Sequence, residues 1–192
     1  MFDVALIEQC KNPNVDTQIV QQIIHVESRS NKYAINVNSK GKSIVSLLAK
    51  SKEEASGAAK DYIKQGYSVD LGLMQFNSNN LGLKIFKHLD VDSVLEPCAN
   101  IKAGSDIFYY AYESTNPEIS KKERLLKALS IYNTGNDKKG FINGYVARYK
   151  IDDTSTPVVK QDNTLADMAR RSDTRIEISY KTYNLEYFKK LP

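Results

Sequence analysis

No stretch of this 192-residue chain approaches the ~20 consecutive apolar residues needed to cross a bilayer, so no transmembrane helix is expected. The opening residues, MFDVALIEQC, have neither a basic start nor a long apolar core, and no secretory signal is visible in them. Cysteine and histidine are scarce, with two of each. Cys10 and Cys98 lie too far apart for a CxxC site, and His25 and His88 supply no zinc-ligand spacing, so neither a metal nor a cofactor is expected. The charge is nearly balanced at +4, and residues 151–192 carry seven basic and seven acidic side chains, which leaves the excess in residues 1–150. The basic residues do not cluster with aromatics on one helix face, which argues against nucleic acid as a partner. They either solvate the surface or steer an acidic polymer towards it.

What is present describes a globular protein. Hydrophobic residues make up 41% of the chain, charged residues 26%, and there are 12 tyrosines, with length enough for one sizeable core or one domain plus an extension. The pattern is mostly helical. Residues 2–10 form an amphipathic helix with Phe2, Ala5 and Leu6 inward, broken by Asn-Pro-Asn at 12–14. Asp16 is placed to cap the next helix. β-Branched residues around a central glycine in AINVNSKGKSIVSLL, residues 34–48, predict a short hairpin. The spacing of Ser51 and Glu54, repeated by Ser120 and Glu123, marks two helix starts, the first running to Gly66 and the second carrying Leu125, Leu126 and Leu129 on one face. Residues 99–114 read as a helix with Ile101, Ile107, Phe108 and Ala111 inward, and residues 137–149 as a last helix with Phe141, Tyr145 and Tyr149 on one side. From DDTSTP onward the chain turns polar and mixed in charge, so residues 151–192 are expected to be an extension, docked or mobile, with a tyrosine-rich end.

One residue breaks the pattern. At about 100° per residue, with Val20 at zero, Ile24 falls near about 40°, Ile23 near about 300° and Glu27 near about 340°, inside the apolar stripe. A carboxyl group buried there would favour its protonated form and could serve as a general acid. Alternatively the helix ends nearby and Glu27 reaches solvent or pairs with Arg29 or Lys32. Two further segments combine amides with aromatics, as a sugar-binding cleft requires: DLGLMQFNSNNLG at 70–82, read as a glycine-hinged turn leading to a helix start, and LSIYNTGN at 129–136, read as a helix end. Each also fits ordinary capping and core packing.

The ordered set ES at 27–28, GLMQFN at 72–77, NIKAG at 100–104, YNTG at 132–135 and GYVARY at 144–149 resembles the soluble lytic transglycosylase domain of the lysozyme-like superfamily, over residues 1–150. More narrowly, SVDLGLMQFNSNNLG followed by LEPCANIKAG is similar to the specialised transglycosylases of type IV secretion systems. The resemblance implies an α+β, mainly helical, lysozyme-like domain with a small β element and a C-terminal extension. It implies Glu27 as the single catalytic acid/base, with Ser28, Asn36, Met74, Gln75, Asn77, Tyr132, Asn133 and Tyr145 as substrate-binding residues. That family also has an early cysteine before the catalytic helix, which implies a Cys10–Cys98 disulfide where composition alone leaves two buried thiols equally open. Two positions depart from the family: Asn31-Lys32 stands where Asn-Pro is common, and Asn36 where a serine often holds the substrate's acetamido group.

The implied reaction is cleavage of the β-1,4 bond between N-acetylmuramic acid and N-acetylglucosamine with closure of a 1,6-anhydro ring, in the periplasm, on peptidoglycan strands, and alongside secretion-system components. Asp70, beside LGLMQ, is the other acid within these motifs. If it faces the cleft, lysozyme-type hydrolysis becomes the alternative; a noncatalytic peptidoglycan-binding assembly factor is the second.

Overall fold

The helix carrying Glu27 begins where Asp16 accepts a hydrogen bond from the Gln18 amide at 2.8 Å, and it runs over Thr17–Ser28. It is preceded by a short helix, Val4–Cys10, and the two are α2 and α1. In this computed structural model, which describes residues 2–151, α2 buries Ile19, Val20, Ile23 and Ile24. It stops abruptly because Arg29 and Ser30 adopt left-handed backbone angles, φ 52° and 68°, which no helix can propagate. Glu27 therefore lies in the last turn of the helix, on the side that Val20, Ile23 and Ile24 fix in the core. On α1 the inward residues are Ile7 and Cys10, with Phe2 and Leu6 partly covered; Ala5, expected inward, is exposed.

The chain then forms the expected hairpin, β1 (Ala34–Ser39) and β2 (Lys42–Leu48). Lys40 and Gly41 turn it with φ 48° and 78°, the two positive angles that a tight turn between twisted strands requires. Register pairs Val37 with Val45 but Asn38 with Ser43, so Ile44 is one residue too many and β2 bulges there. A helix, α3 (Lys52–Lys64), follows, capped by Ser51, which accepts from the Glu54 amide at 3.2 Å.

The segment read as a turn and helix start contains two strands as well: β3 (Ser68–Leu71) and β4 (Phe76–Asn77), before a single 3₁₀ turn at Ser78–Asn80. Their brevity hides them from periodicity, because two to four residues show no alternation that a turn could not mimic. The antiparallel sheet runs β2-β1-β3-β4.

A short helix, α4 (Val91–Val94), leads into α5 (Pro97–Glu113), where proline occupies the first turn and Ile101, Ile107, Phe108 and Ala111 are buried as expected. Next comes α6 (Lys121–Thr134), capped by Ser120 and packed on α5, with the Phe108 and Tyr132 rings edge to face at 6.2 Å. The Cys10–Cys98 disulfide is formed, Cα to Cα 5.1 Å, and ties the end of α1 to the first turn of α5.

The last stretch departs from expectation. Instead of one helix over 137–149, there is a four-residue helix, α7 (Lys139–Ile142), and a 3₁₀ turn at Val146–Arg148. Gly144 between them takes φ 76°, which ends the helix and turns the chain. Consequently Tyr145 and Tyr149 point into the domain while Phe141 is left largely exposed. The fold is mainly helical with a small antiparallel sheet, the α+β class expected. The expected extension lies, from residue 152 on, outside the described residues.

Candidate functional site

The end of α2, the cleft-facing side of the β1–β2 hairpin and the turn after Gly144 enclose an open cleft of about 710 Å³. Glu27 lines it, half-buried rather than fully enclosed. Its Oε1 accepts a hydrogen bond from the Tyr145 hydroxyl at 2.7 Å, across 118 residues of sequence. The Tyr145 and Tyr149 hydroxyls are 2.5 Å apart. A phenol has one proton, and that of Tyr145 goes to Glu27, so Tyr149 is the donor to Tyr145. The result is a chain of donors ending on one carboxylate oxygen.

Burial, and after it the nearby Glu27 charge, pushes Tyr145 and Tyr149 well above the ordinary phenol range. Both therefore keep their protons, and remain donors, at neutral pH. Lys32, one of the two cations considered as a partner for Glu27, holds its ammonium 5.0 Å over the Tyr33 ring. Arg29 and Arg148 line the cleft beside the carboxylate, the latter guanidinium 6.0 Å from the Tyr145 ring centre.

Asp70 also lines the cleft, but as a buried floor, 1% exposed. Three side-chain amides donate to it: Asn77 to Oδ1 at 2.8 Å, and Asn38 and Asn36 to Oδ2 at 2.9 and 3.2 Å. Strand register explains the convergence, since Asn36 pairs with Asp70 and Asp70 with Asn77. Residues directly opposite across a sheet share a face. A carboxylate whose two oxygens are taken up by buried amides is poorly placed to abstract a proton from a sugar or a water.

The other residues implied by the motifs divide into those that face the cleft and those that build it. Ser28, Asn36, Gln75 and Asn133 line it with Glu27 and Tyr145. The Ser28 hydroxyl is turned back to the Ile24 carbonyl at 3.1 Å, and Asn133 accepts from Asn143 at 3.0 Å. Gln75, with φ 52°, clamps the turn by donating to the Ala34 and Gly72 carbonyls, both at 3.0 Å. Met74, Asn77 and Tyr132 stand behind the lining. The Met74 side chain is fully buried against Gly104, where a Cβ would approach it to 2.5 Å; only glycine fits at 104. Tyr132 donates to the Met74 carbonyl at 2.7 Å, which commits its hydroxyl to the turn rather than to Glu27. Asn77 caps the 3₁₀ turn at Asn79 while donating to Asp70.

Several contributors were not read as site residues. Asn38, Ser43, Ser46, Asn143 and Arg148 line the cleft, and Tyr149 backs Tyr145. In the NIKAG segment, Asn100 fixes the 71–74 turn by accepting from the Met74 amide and donating to the Leu71 and Val94 carbonyls, all at 2.8 Å. Asparagine buried among helical neighbours was the available signal for it.

The family profile described as Transglycosylase SLT domain matches residues 5–154, which contain every element of this cleft. The chain belongs to that family. Among its relatives, Protein virB1 of Agrobacterium fabrum is 31% identical over 136 residues, 71% of this chain and 53% of that protein. Type IV secretion system protein virB1 of Brucella abortus is 32% identical over 140 residues, covering 72% of this chain and 56% of its own length. An uncharacterized protein of Sinorhizobium fredii, y4dP, is 32% identical over 108 residues, 56% of this chain and 52% of its own. The chain thus spans about half the length of the curated relatives it matches. No solved structure matches it significantly. Among the described residues, this SLT domain carries one half-exposed cleft carboxylate, Glu27 at the end of α2.

Proposed function

We propose that this SLT domain is a lytic transglycosylase that cleaves the bond between N-acetylmuramic acid and N-acetylglucosamine in peptidoglycan. The observation that carries the reading is the division between the two cleft acids: Glu27 is half-exposed and held by Tyr145, whereas Asp70 is buried under three amides. Hydrolysis with one protein acid and one protein base needs two carboxylates facing the sugar. A transglycosylase needs one.

In the proposed reaction Glu27 gives its proton to the glycosidic oxygen as the C1–O bond breaks. The substrate's acetamido oxygen relieves the developing positive charge at C1. Glu27, now a carboxylate, takes the proton of the muramic C6 hydroxyl, whose oxygen bonds to C1 and closes the anhydro ring. Tyr145 strengthens the carboxylate half of this cycle by donating to Oε1. Gln75 and Asn133 face the glycan, and Arg29 and Arg148 give the lips the positive charge that an anionic polymer favours. Residues 1–150 form the enzyme and residues 151–192 an appended segment.

The site of action is the periplasm, where that polymer lies. The name of the Brucella relative, a type IV secretion system protein, supports a role in opening the wall for such a system. The hydrolytic alternative draws on Asp70 lining the cleft, and its amide shell weighs against it.

Mass spectrometry of muropeptides released from purified peptidoglycan, beside the Glu27→Gln variant, tests the reading. Anhydro products that vanish in the variant are expected. Reducing-end products would establish hydrolysis instead, and release undiminished by the substitution would remove Glu27 from its role.

A further inference from the structure

We infer that Ser43 and Ser46 of β2 form an acceptor-only subsite for the N–H of an N-acetylated amino sugar, a contact that Asn36 cannot make here. The inference rests on the peptidoglycan reading above and specifies which chain atoms recognise the acetamido group.

The argument is an inventory of protons. Asp70 has only acceptors, so the Asn36 side chain must turn its nitrogen towards Asp70 and its oxygen towards β2. Nδ2 then donates to Asp70 Oδ2 at 3.2 Å and to Asn38 Oδ1 at 3.0 Å. Oδ1 accepts from Ser43 at 2.6 Å and from Ser46 at 2.9 Å. Both protons and both lone pairs of the amide are spent within the protein. Asn36 has nothing left for a sugar.

The serines, by contrast, have each given away their single proton and keep lone pairs. Both are exposed and both line the cleft. Residues three apart on a regular strand face opposite sides of a sheet. The extra residue at Ile44 removes that conflict, because register places Ser46 opposite Asn36 and Ser43 opposite Asn38, on one face. The bulge thus sets two hydroxyl oxygens side by side, and their donor capacity is fixed inward by a buried carboxylate. Such a pair attracts ligand donors, an amide N–H and a sugar hydroxyl, and repels a ligand acceptor.

The test is binding of N-acetylglucosamine trimer, by calorimetry, to the full chain carrying Glu27→Gln, with and without Ser43→Ala and Ser46→Ala. Each alanine should weaken that binding roughly threefold to tenfold, the worth of one net hydrogen bond, while Ser46→Thr, which keeps the hydroxyl, retains it. Thermal unfolding midpoints show whether each variant is folded. An alanine pair that is folded and binds the trimer as tightly as the parent overturns the inference, and does so even when the native chain releases anhydro-muropeptides, which leaves the peptidoglycan reading standing. A native chain that neither binds the acetylated trimer nor releases muropeptides overturns both.

Discussion

Replacing Asp70 by asparagine changes one oxygen to an amide N–H₂ in a place with no spare acceptor. Asn36 and Asn38 approach one oxygen of Asp70 and Asn77 the other. The substituted side chain does best by keeping its carbonyl towards Asn36 and Asn38, which sets its new N–H₂ against the Asn77 N–H₂. Asn77 cannot turn over to relieve this, because its oxygen already accepts from the Asn79 amide at 3.0 Å. One buried donor is therefore left facing another, which costs about 1–3 kcal/mol, and two charge-assisted bonds become neutral ones at a further cost of about 0.5–1 kcal/mol each. A total near 3 kcal/mol corresponds, for a domain of this size, to a fall in Tm of about 6–12 °C. Differential scanning calorimetry of the two proteins reads it directly, and a denaturant series checks that the slope is unchanged. Below its own transition the variant should still form anhydro products. A Tm within about 2 °C of the parent would refute the hydrogen-bond accounting. A fully folded variant without activity would refute the structural role and return Asp70 to the chemistry.

Tyr145→Phe removes the donor to Glu27 Oε1 and the acceptor of Tyr149; kcat should fall roughly tenfold to a hundredfold, at or below the low end of the ~10²–10⁴-fold that the group transferring the proton itself contributes, with KM little changed in a muropeptide-release assay. Reducing the Cys10–Cys98 bridge releases an 88-residue loop, and the chain-entropy model gives a loss of roughly 4–5 kcal/mol, measurable as a lowered midpoint in urea with and without reductant. Tyr132, Tyr145 and Tyr149 are all raised by burial first and then by the Glu27 charge. A raised folded value means that the native state holds protons the unfolded chain releases, so their stability is complete below about pH 10 and is lost as pH climbs above it. The three together should remove up to about 4 kcal/mol per pH unit there. The chain has 12 tyrosines, and the share of phenolate absorbance due to these three should rise only together with unfolding; ionisation of all 12 while the fold persists would contradict the burial.

The start of α2, the inward side of its stripe, the hairpin and the inward faces of α5 and α6 all follow from short-range rules: a capping aspartate, a helical period, a glycine-bearing turn. Such signals act within a few residues and need no partner, so they are legible along the chain. The sequence by itself also determined that an acid stands in an apolar stripe and that amides and aromatics recur in a set order. It did not determine what they touch. Met74, Asn77 and Tyr132 appear in the motifs beside Gln75 and Asn133, yet three build the cleft and two face it, because what decides it is packing against Gly104 and hydrogen bonds to Asp70 and to the turn itself.

Tertiary structure alone decided the two features on which function turns. Four strands bring Ser46, Asn36, Asp70 and Asn77 into one row across the sheet. A positive φ at Gly144 swings Tyr145 onto a carboxylate 118 residues away. Both depend on register and on a change of direction at single residues. A bulge or a left-handed glycine alters no local periodicity, yet it resets which face every later side chain presents.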